Sequence, residues 1–197
     1  MERILIFIKH HFAALWRVIE KGNGLLFILF YKKRMEKVLP AIFNESAEPP
    51  FYYKRLDSKD ASLLYDLINS QVSSDLKYFH PHGFDHDSIR QQFDNSSFLM
   101  MGAFDRKIMV GYFFLRFFAN KKCFVGRLID KNYRGKGIGH VMNTIMYETA
   151  WRMGFRCLST ISRNNSLVMR AHSRNPKMKV LKELQNNYLL VEFVWKR

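Results

Sequence analysis

The stretch NYRGKGIGHVMN, residues 132–143, places three alternating glycines and two cations directly before an apolar-periodic run. The preceding segment CFVGRLID reads as a strand and the following one as a long helix, so the glycines lie at a strand-to-helix junction. Glycines at such a junction let the backbone turn tightly and let a ligand approach main-chain N–H groups. The first turn of a helix has free N–H donors, and its dipole favours an anion. The pattern therefore predicts a pyrophosphate-binding turn, to which Arg134 and Lys136 add positive charge.

Two common phosphate-binding motifs do not fit this stretch. It is not a P-loop, because no Gly-Lys-Ser/Thr follows four spacer residues. It is not the dinucleotide fingerprint, because the spacing is G-x-G-x-G and no βαβ unit opens the chain. A glycine-rich turn without a ligand is the alternative, but cations beside free helix N–H donors oppose the helix dipole unless an anion lies between them. We name residues 134–139 the pyrophosphate cradle.

Composition and charge limit the class of protein. The 197 residues suit one domain with an extension, and 48% hydrophobic content is enough for a sizeable core. The net charge of +15 attracts phosphate-bearing ligands, nucleic acid or anionic lipid and repels polycations. No nucleic-acid partner is expected, since neither an aromatic RNA-binding motif nor a recognition-helix signature is evident. Cys123 and Cys157 have apolar sequence neighbours and are interpreted as reduced core residues of a cytoplasmic protein.

Residues 1–45 form a segment distinct from the rest of the chain. The run MERILIFIKHHFAALWRVIEK predicts an amphipathic helix, and Gly22 and Gly24 are expected to end it before a second apolar run. Neither run is long enough to span a bilayer, and no small-residue cleavage site of a secretory signal follows. The apolar half of the first helical wheel contains Ile4, Leu5, Phe7, Ile8, Phe12, Leu15, Trp16, Val18 and Ile19.

Two interpretations of this N-terminal segment stay open. In one, the helices pack on the main domain or on a second subunit of a homodimer. In the other, they lie on an anionic membrane surface, since residues 1–40 carry eight Lys or Arg against three Glu. The two are not exclusive. The stretch NESAEPPF, with Pro49 and Pro50, is interpreted as a linker to the domain that follows.

From Phe51 onward, strand and helix patterns alternate. Aromatic and β-branched runs predict seven strands, and the last two, MKVLKEL and YLLVEFVW, are expected to pair antiparallel. Helices are predicted after the first strand, with Ser58 or Asp60 as the cap, and after the glycine run, with Gly154 at the C-terminal end. The predicted fold class is α/β (α+β), with a mixed, mainly antiparallel sheet flanked by helices.

The glycine run resembles a known family motif. Arg134-Gly135-Lys136-Gly137-Ile138-Gly139 matches the R-G-x-G-[IL]-G motif of the GNAT acyltransferase superfamily, and the preceding LIDKNY is similar to that family's strand end. The resemblance implies a GNAT-like domain over residues 51–197 with acetyl-coenzyme A as acyl donor. It further implies that the main chain near Leu128 and Ile129 pairs with the pantetheine arm where two central strands separate. The residues implied to hold the pyrophosphate through backbone N–H groups are Arg134, Gly135, Lys136, Gly137, Ile138 and Gly139.

The same resemblance suggests catalytic residues. Asn165 stands where such enzymes have an Asn that opens a short helix, and His172, seven residues later, replaces the family's usual Tyr. A charged imidazole at His172 is one candidate to protonate the leaving thiolate, and a packing role is the alternative. His80 and His82 are the candidate proton acceptors for the amine, directly or through water.

A metal site at the His-rich loop is the alternative interpretation, and no metal is expected there. That loop contains His80, His82, Asp85 and His86. The fourth strand, which carries a Glu in many family members, has only Asp130 as an acid.

The function expected from these residues is transfer of an acetyl group from acetyl-coenzyme A to a primary amine. A small, phosphorylated or nucleotide-sugar acceptor is favoured, because a charge of +15 disfavours polyamines and aminoglycosides. Acetylation of a protein amine is one alternative, and a non-catalytic coenzyme-binding or membrane-apposed module is another. A cytoplasmic location is expected, with peripheral attachment to the inner face of the membrane as an additional hypothesis.

Overall fold

The computed structural model describes residues 13–46, 48–172 and 175–195, with side chains from Val18 onward. One seven-stranded sheet has the order β1-β2-β3-β4-β5-β7-β6. The strands are β1 (Phe51–Arg55), β2 (Phe98–Asp105), β3 (Ile108–Phe117), β4 (Lys122–Ile129), β5 (Arg156–Ser162), β6 (Met178–Leu184) and β7 (Tyr188–Phe193). The helices are α1 (Ala13–Phe30), α2 (Lys32–Glu45), α3 (Ala61–Asn69), α4 (Ser73–Leu76), α5 (His86–Phe93), α6 (Ile138–Arg152) and α7 (Ser166–His172).

The sheet is mixed and mainly antiparallel, which confirms the predicted fold class. Only β4 and β5 pair in parallel, and their ladder extends just from Lys122↔Arg156 to Phe124↔Leu158. Beyond that point β4 stays paired with β3 as far as Ile129, and β5 stays paired with β7. The expected separation of the two central strands is therefore present, and we call it the fork.

Helices cover both faces of the sheet and create two apolar cores. On one face, α6 packs Met142, Ile145 and Met146 against inward side chains of β3, β4 and β5. On the other face, α3 and α5 bury Leu64 and Ile89 against β2 and β3. The sheet lies between two helical layers. The fork, which is part of the sheet, therefore has an apolar core on each side.

The prediction that Gly22 and Gly24 interrupt the N-terminal segment was wrong. Helix α1 continues through both glycines to Phe30. A glycine inside a helix costs about 1 kcal/mol relative to alanine, but Asn23 between them docks the helix on the sheet. Its Nδ2 donates to the carbonyl of Phe117 at 2.8 Å, and its Oδ1 accepts from the N–H of Ala119 at 2.9 Å. These tertiary hydrogen bonds override the local preference.

Helices α1 and α2 pack on the domain along one face only. Phe27, Met35, Leu39 and Ile42 enter the core shared with α6. The opposite face of α1 is exposed to solvent, and Val18, Leu25 and Leu29 on it are each more than 60% exposed. In the described ranges no helix is both long and apolar enough to cross a membrane. Residues 4–12 of the predicted apolar face lie outside the described residues.

Two local features differ from the sequence-based expectation. Asp60 is the N-terminal cap residue of α3, as predicted, but the turn before the helix begins at Asp57, and the Asp60 carboxylate accepts from the Asp57 N–H at 3.1 Å and not from a helix N–H. The short helix α4, which no pattern predicted, follows α3 and carries Asp75. Its position matters for the site described next.

Candidate active site

The cradle is a turn that only glycine adopts readily. Gly135 and Gly137 have φ angles of 79° and 82°, the left-handed region that side chains with a Cβ disfavour. Gly137 is the N-terminal cap of α6. Among the described residues, the backbone N–H groups of residues 135–139 have no hydrogen-bond acceptor. A Cβ added at Gly135 or Gly137 would meet no atom within 4 Å, so these donors border open space.

The cations of the cradle have partners of their own. A terminal nitrogen of Arg134 lies 2.8 Å from a carboxylate oxygen of Asp75 on α4. Lys136 Nζ lies over the ring of Tyr133, 4.4 Å from its centroid. The charge of Arg134 is therefore partly balanced within the protein, and the unbalanced positive potential comes from Lys136 and the free backbone N–H groups.

The third glycine of the run has a packing role. A Cβ at Gly139 would lie 3.0 Å from Arg127 Nη1 and 3.0 Å from Ile129 Cδ1. Such contacts are closer than packed side chains tolerate without moving. Gly139 thus lets the start of α6 approach β4 and leaves room for the Arg127 guanidinium between them.

A cavity of about 570 Å³ opens in the fork. Its wall includes three of the residues expected from the sequence, namely His80, Asn165 and His172. His82, Leu128, Ile129 and the cradle do not line it. Leu128 and Ile129 lie further along β4, where that strand has β3 as its only sheet partner. The cavity therefore lies beside the middle of β4. The open edge of β4 at Leu128 and Ile129 comes next, and the cradle follows it at the start of α6.

His172 is buried in the cavity wall at 7% exposure. Asn175 Nδ2 lies 3.5 Å from His172 Nδ1, and Asn175 Oδ1 accepts the Lys177 N–H at 3.0 Å. The latter bond orients the amide so that its NH₂ group faces the imidazole, which places the His172 proton on Nε2. Burial, and secondarily Arg127, lowers the pKa of His172 to about 4. The ring is neutral at pH 7, so the charged imidazole expected from the sequence is not the form that this environment favours.

The two histidines of the loop differ in availability. His82 Nδ1 lies 2.6 Å from the carbonyl oxygen of Gly83, and its Nε2 lies 2.9 Å from the Tyr112 hydroxyl. A carbonyl only accepts, so Nδ1 donates and Nε2 accepts from Tyr112. Burial also lowers the pKa of His82. His80 is exposed and lines the cavity, which makes it the more accessible of the two predicted proton acceptors.

The remaining polar residues of the loop have structural contacts. Asp85 caps α5 by accepting the Ser88 N–H at 2.8 Å, and the His86 ring stacks on Tyr65 at 3.7 Å between centroids. Within the part of the chain that the structure describes, no three His, Cys, Asp or Glu side chains are grouped closely enough to hold a metal ion. Asp130 caps the turn before the cradle by accepting the Asn132 N–H and does not line the cavity.

Sequence reasoning did not assign several polar residues to the cavity, among them Arg127, Asn143 and Tyr147. Arg127 Nε donates to Asn143 Oδ1 at 2.8 Å. Tyr147 is 4% exposed, and its hydroxyl has no hydrogen-bond partner among the described residues. Two features of the sequence could have indicated these residues. Asn143 and Tyr147 are one helical turn apart on α6, and Arg127 lies in an otherwise apolar strand.

Solved structures with this fold are GNAT acetyltransferases. The chain is similar to the PaiA N-acetyltransferase of Thermoplasma acidophilum in complex with coenzyme A, with a TM-score of 0.63, 16% identity, and coverage of 74% of this chain and 99% of that one. It is also similar to the GNAT domain of S. lividans PAT, with a TM-score of 0.63, 12% identity, and coverage of 73% and 89%.

A ribosomal-protein-S5-alanine acetyltransferase from Vibrio fischeri has a TM-score of 0.57 at 12% identity, with coverage of 74% of this chain and 93% of that one. No protein-family model matches the sequence, and no curated protein does. At these identities the likeness is one of fold, and the fold is that of the GNAT N-acetyltransferases.

Proposed function

We propose that this chain is an acyltransferase that moves an acetyl group from acetyl-coenzyme A to a primary amine. The observation that carries the proposal is the row of free N–H donors at residues 135–139, at the same end of β4 where the fork opens. Helix N-termini with free N–H groups bind phosphates. An open strand edge next to them offers main-chain hydrogen bonds to an extended amide-containing arm. Coenzyme A contains both groups in that order.

Each part of such a coenzyme has a proposed partner in this chain. The free N–H groups of Gly135, Lys136, Gly137, Ile138 and Gly139 would surround the pyrophosphate, whereas the Arg134 N–H is directed at the carbonyl of Lys131 at 3.5 Å. The main chain at Leu128 and Ile129 would pair with the pantetheine arm, and Asn165 would lie beside its reactive end. The bound coenzyme supplies an activated thioester. The protein then has to orient an amine, remove its proton and stabilise the departing thiolate.

His80 is the proposed acceptor for the amine proton, since it is exposed and lines the cavity. His82, with both ring nitrogens occupied, would position the loop and affect the proton only through neighbouring groups. His172 would act as a neutral donor through Nε2–H. A neutral imidazole is a weak acid, so this role consists in hydrogen bonding to the thiolate and not in delivery of a proton from an imidazolium.

The proposed acceptor is a small amine that carries negative charge, because the net charge of +15 favours anions. Acetylation of a protein amine is the second candidate, since several structures with this fold are described as N-acetyltransferases of ribosomal proteins. The two candidates differ in the size of the acceptor that must reach the cavity.

A thiol-release assay with acetyl-coenzyme A separates these candidates. The panel contains phosphorylated amines, amino-sugar nucleotides, neutral amines, polyamines and N-terminal peptides. We expect turnover with anionic small amines and little with polyamines. Turnover with peptides alone would favour the protein acceptor, and coenzyme binding without any turnover would favour a non-catalytic module. Failure of acetyl-coenzyme A to raise the melting temperature would contradict the coenzyme site itself.

The role of His172 has its own test within that assay. His172→Phe keeps an aromatic ring beside Phe193, 5.2 Å away in the native protein, but removes the N–H donor. A lower maximal rate with unchanged coenzyme affinity is expected, and His172→Tyr should restore part of the rate because it returns a donor. A full rate in His172→Phe would assign this residue to packing.

We also propose that the exposed face of α1 lies on an anionic membrane surface. Val18, Leu25, Leu26, Leu29 and Phe30 are apolar, exposed side chains of this helix. The exposed cations Lys32, Lys33 and Arg34 follow them directly at the start of α2. Apolar side chains beside Lys and Arg are the pattern by which a helix attaches to acidic lipid. Peripheral attachment would place the enzyme at the inner face of the membrane.

Vesicle co-sedimentation tests this attachment with the full chain. Removal of residues 1–50 is unsuitable, because Phe27, Met35, Leu39 and Ile42 belong to the core. Leu25→Glu with Leu29→Glu should abolish binding to phosphatidylserine vesicles, whereas the exposed Leu63→Glu on α3 should not. Equal binding by both variants would contradict the proposal. A protein mass that doubles with concentration and falls in the double variant would instead assign this face to a homodimer.

A further inference from the structure

Two arginines line the fork cavity, and they differ in their partners. Arg116 lies 3.2 Å from a carboxylate oxygen of Glu20, so its charge is balanced. Arg127 has no carboxylate within salt-bridge distance among the described residues, and its only hydrogen bond there is the one from Nε to Asn143. A guanidinium has five N–H donors. Four donors of Arg127 therefore have no protein acceptor in the described part of the chain.

Arg127 is half-buried, so its unbalanced charge is only partly hydrated. Arg127 lies between β4 and α6, against the position that a Cβ at Gly139 would occupy. Desolvation by burial lowers the pKa of its guanidinium. A half-buried cation loses part of its hydration, and the attraction of an anion would offset that loss.

Tyr147 provides an independent sign of an absent ligand. Its buried hydroxyl forms no hydrogen bond of normal geometry, and the residue lines the same cavity as Arg127. Burial raises the pKa of this phenol, although the Asn175 amide beside it lowers that pKa as a donor, so the phenol remains protonated and able to donate. Buried hydroxyls nearly always form a hydrogen bond. The four N–H donors of Arg127 that have no acceptor among the described residues and the O–H donor of Tyr147 are suited to the two oxygens of a carboxylate.

These groups lie at the α6 end of the cavity. Met146 and Tyr147 belong to the core between the sheet and α6. Phe79, next to His80, packs against the core on the other face of the sheet. The cavity thus extends through the fork, with the proposed amine side at His80 and a cationic floor formed by Arg127, Asn143 and Tyr147.

We propose that this cationic floor binds a carboxylate carried by one of the two substrates. The inference rests on the proposed function and deepens it. The carboxylate belongs either to the acyl chain of the thioester, which would make the donor a dicarboxylic acyl-coenzyme A, or to the amine acceptor. In both cases the Arg127 guanidinium donates to one carboxylate oxygen and the Tyr147 hydroxyl donates to the second.

Binding and rate measurements on the full chain distinguish the two sources. Calorimetry compares acetyl-coenzyme A with succinyl-coenzyme A, and the thiol-release assay compares the KM of L-alanine with that of L-alaninamide. A charged hydrogen-bonded contact corresponds to about ten- to a hundredfold in affinity. We expect a preference of this size for the compound with the carboxylate in one of the two pairs, either succinyl-coenzyme A over acetyl-coenzyme A or L-alanine over L-alaninamide.

The variants Arg127→Gln and Tyr147→Phe identify the site. Arg127→Gln should remove the preference and Tyr147→Phe should reduce it, while both retain acetyl-coenzyme A affinity at the cradle. Arg90→Gln, an exposed arginine on α5, is the matched control and should change neither pair. If Arg127→Gln does not fold, the measurements on the wild-type protein and on Tyr147→Phe still test the proposal.

Several results would overturn the inference. One is that the wild-type protein shows no difference in affinity between the two thioesters and none in KM between the two amines. Another is that a preference remains in Arg127→Gln. Because the inference depends on the proposed function, absence of binding by either thioester would overturn both. Normal acetyl-coenzyme A binding with no carboxylate preference would overturn the inference alone.

Discussion

The guanidinium of Arg134 lies 2.8 Å from the carboxylate of Asp75, which joins the first residue of the cradle to the short helix α4. The pair neutralises part of the charge that the sequence assigned to the cradle. Anion binding there then depends on Lys136 and on backbone N–H groups, whose direction is set by the left-handed φ angles of Gly135 and Gly137. Backbone changes should therefore matter more than the loss of one cation.

Substitution of Gly137 tests this dependence. Gly137→Asp adds a Cβ at φ 82° and a carboxylate beside the proposed pyrophosphate, so we expect no detectable rise in melting temperature with acetyl-coenzyme A. Gly137→Ala adds only the backbone strain and should weaken binding by a smaller factor. Calorimetric titration of each variant measures the affinity.

The matched control is Gly154→Asp, at the opposite end of α6. Gly154 has a φ of 80°, so this variant has the same kind of strain and the same added charge. It should lower stability and retain coenzyme affinity. Coenzyme affinity that is equal in Gly137→Asp and wild type would contradict the cradle assignment.

The depressed pKa of His172 predicts a stability change with pH. The folded pKa is about 4, below the value of about 6.5 in an unfolded chain. Between these values the unfolded chain binds a proton that the native protein does not, so stability falls as pH decreases from about 6.5 towards 4. The contribution is about 3 kcal/mol.

Urea unfolding at pH 7.5 and pH 4.5 measures this contribution. Titration of other groups affects all variants, so the difference between variants is the informative quantity. His172→Phe should lose less stability on acidification than wild type, whereas Leu63→Phe, at an exposed and non-titrating position on α3, should lose as much. Identical losses in all three proteins would show that His172 is not protonated on unfolding.

Asn23 should be essential for docking of α1. Asn23→Ala removes the partners of the Phe117 carbonyl and the Ala119 N–H. Unpaired backbone groups cost about 1–3 kcal/mol each where they are buried, so a loss of about 2 kcal/mol is expected. Asn69→Ala, which removes one exposed hydrogen bond to Tyr65, should change the free energy of unfolding by less than about 0.5 kcal/mol. Similar effects of the two substitutions would argue against docking through Asn23.

Two glycine-to-alanine substitutions should change the free energy of unfolding in opposite directions. Gly22 lies inside α1, where an added Cβ would meet nothing within 4 Å, so Gly22→Ala should stabilise the protein by about 0.5–1 kcal/mol. Gly139→Ala would press on Arg127 and Ile129 at 3.0 Å and should destabilise it by about 1 kcal/mol. Thermal unfolding of both variants checks the prediction. A stabilised Gly139→Ala would mean that Arg127 moves freely.

Local chemistry made part of this protein predictable from its sequence. Alternation and helical periodicity predicted the seven strands and the helices after β1 and β4. The glycine run predicted a tight turn at a helix N-terminus, because left-handed φ angles and free N–H donors depend on residues adjacent in the chain. The separation of β4 and β5 followed only from the family resemblance.

Other features came from contacts between residues distant in the chain, which no local pattern reveals. Helix α1 continues through Gly22 and Gly24 because Asn23 bonds to β3 and to the loop after it, more than ninety residues away. The neutral state of His172 follows from burial. The meeting of Arg127 with Asn143 and Tyr147 depends on how closely α6 approaches β4, a distance set by side-chain packing. The sequence by itself thus determined the elements and the turn, whereas the tertiary structure decided which polar groups share the cavity, since desolvation and hydrogen bonding act between residues that only folding brings together.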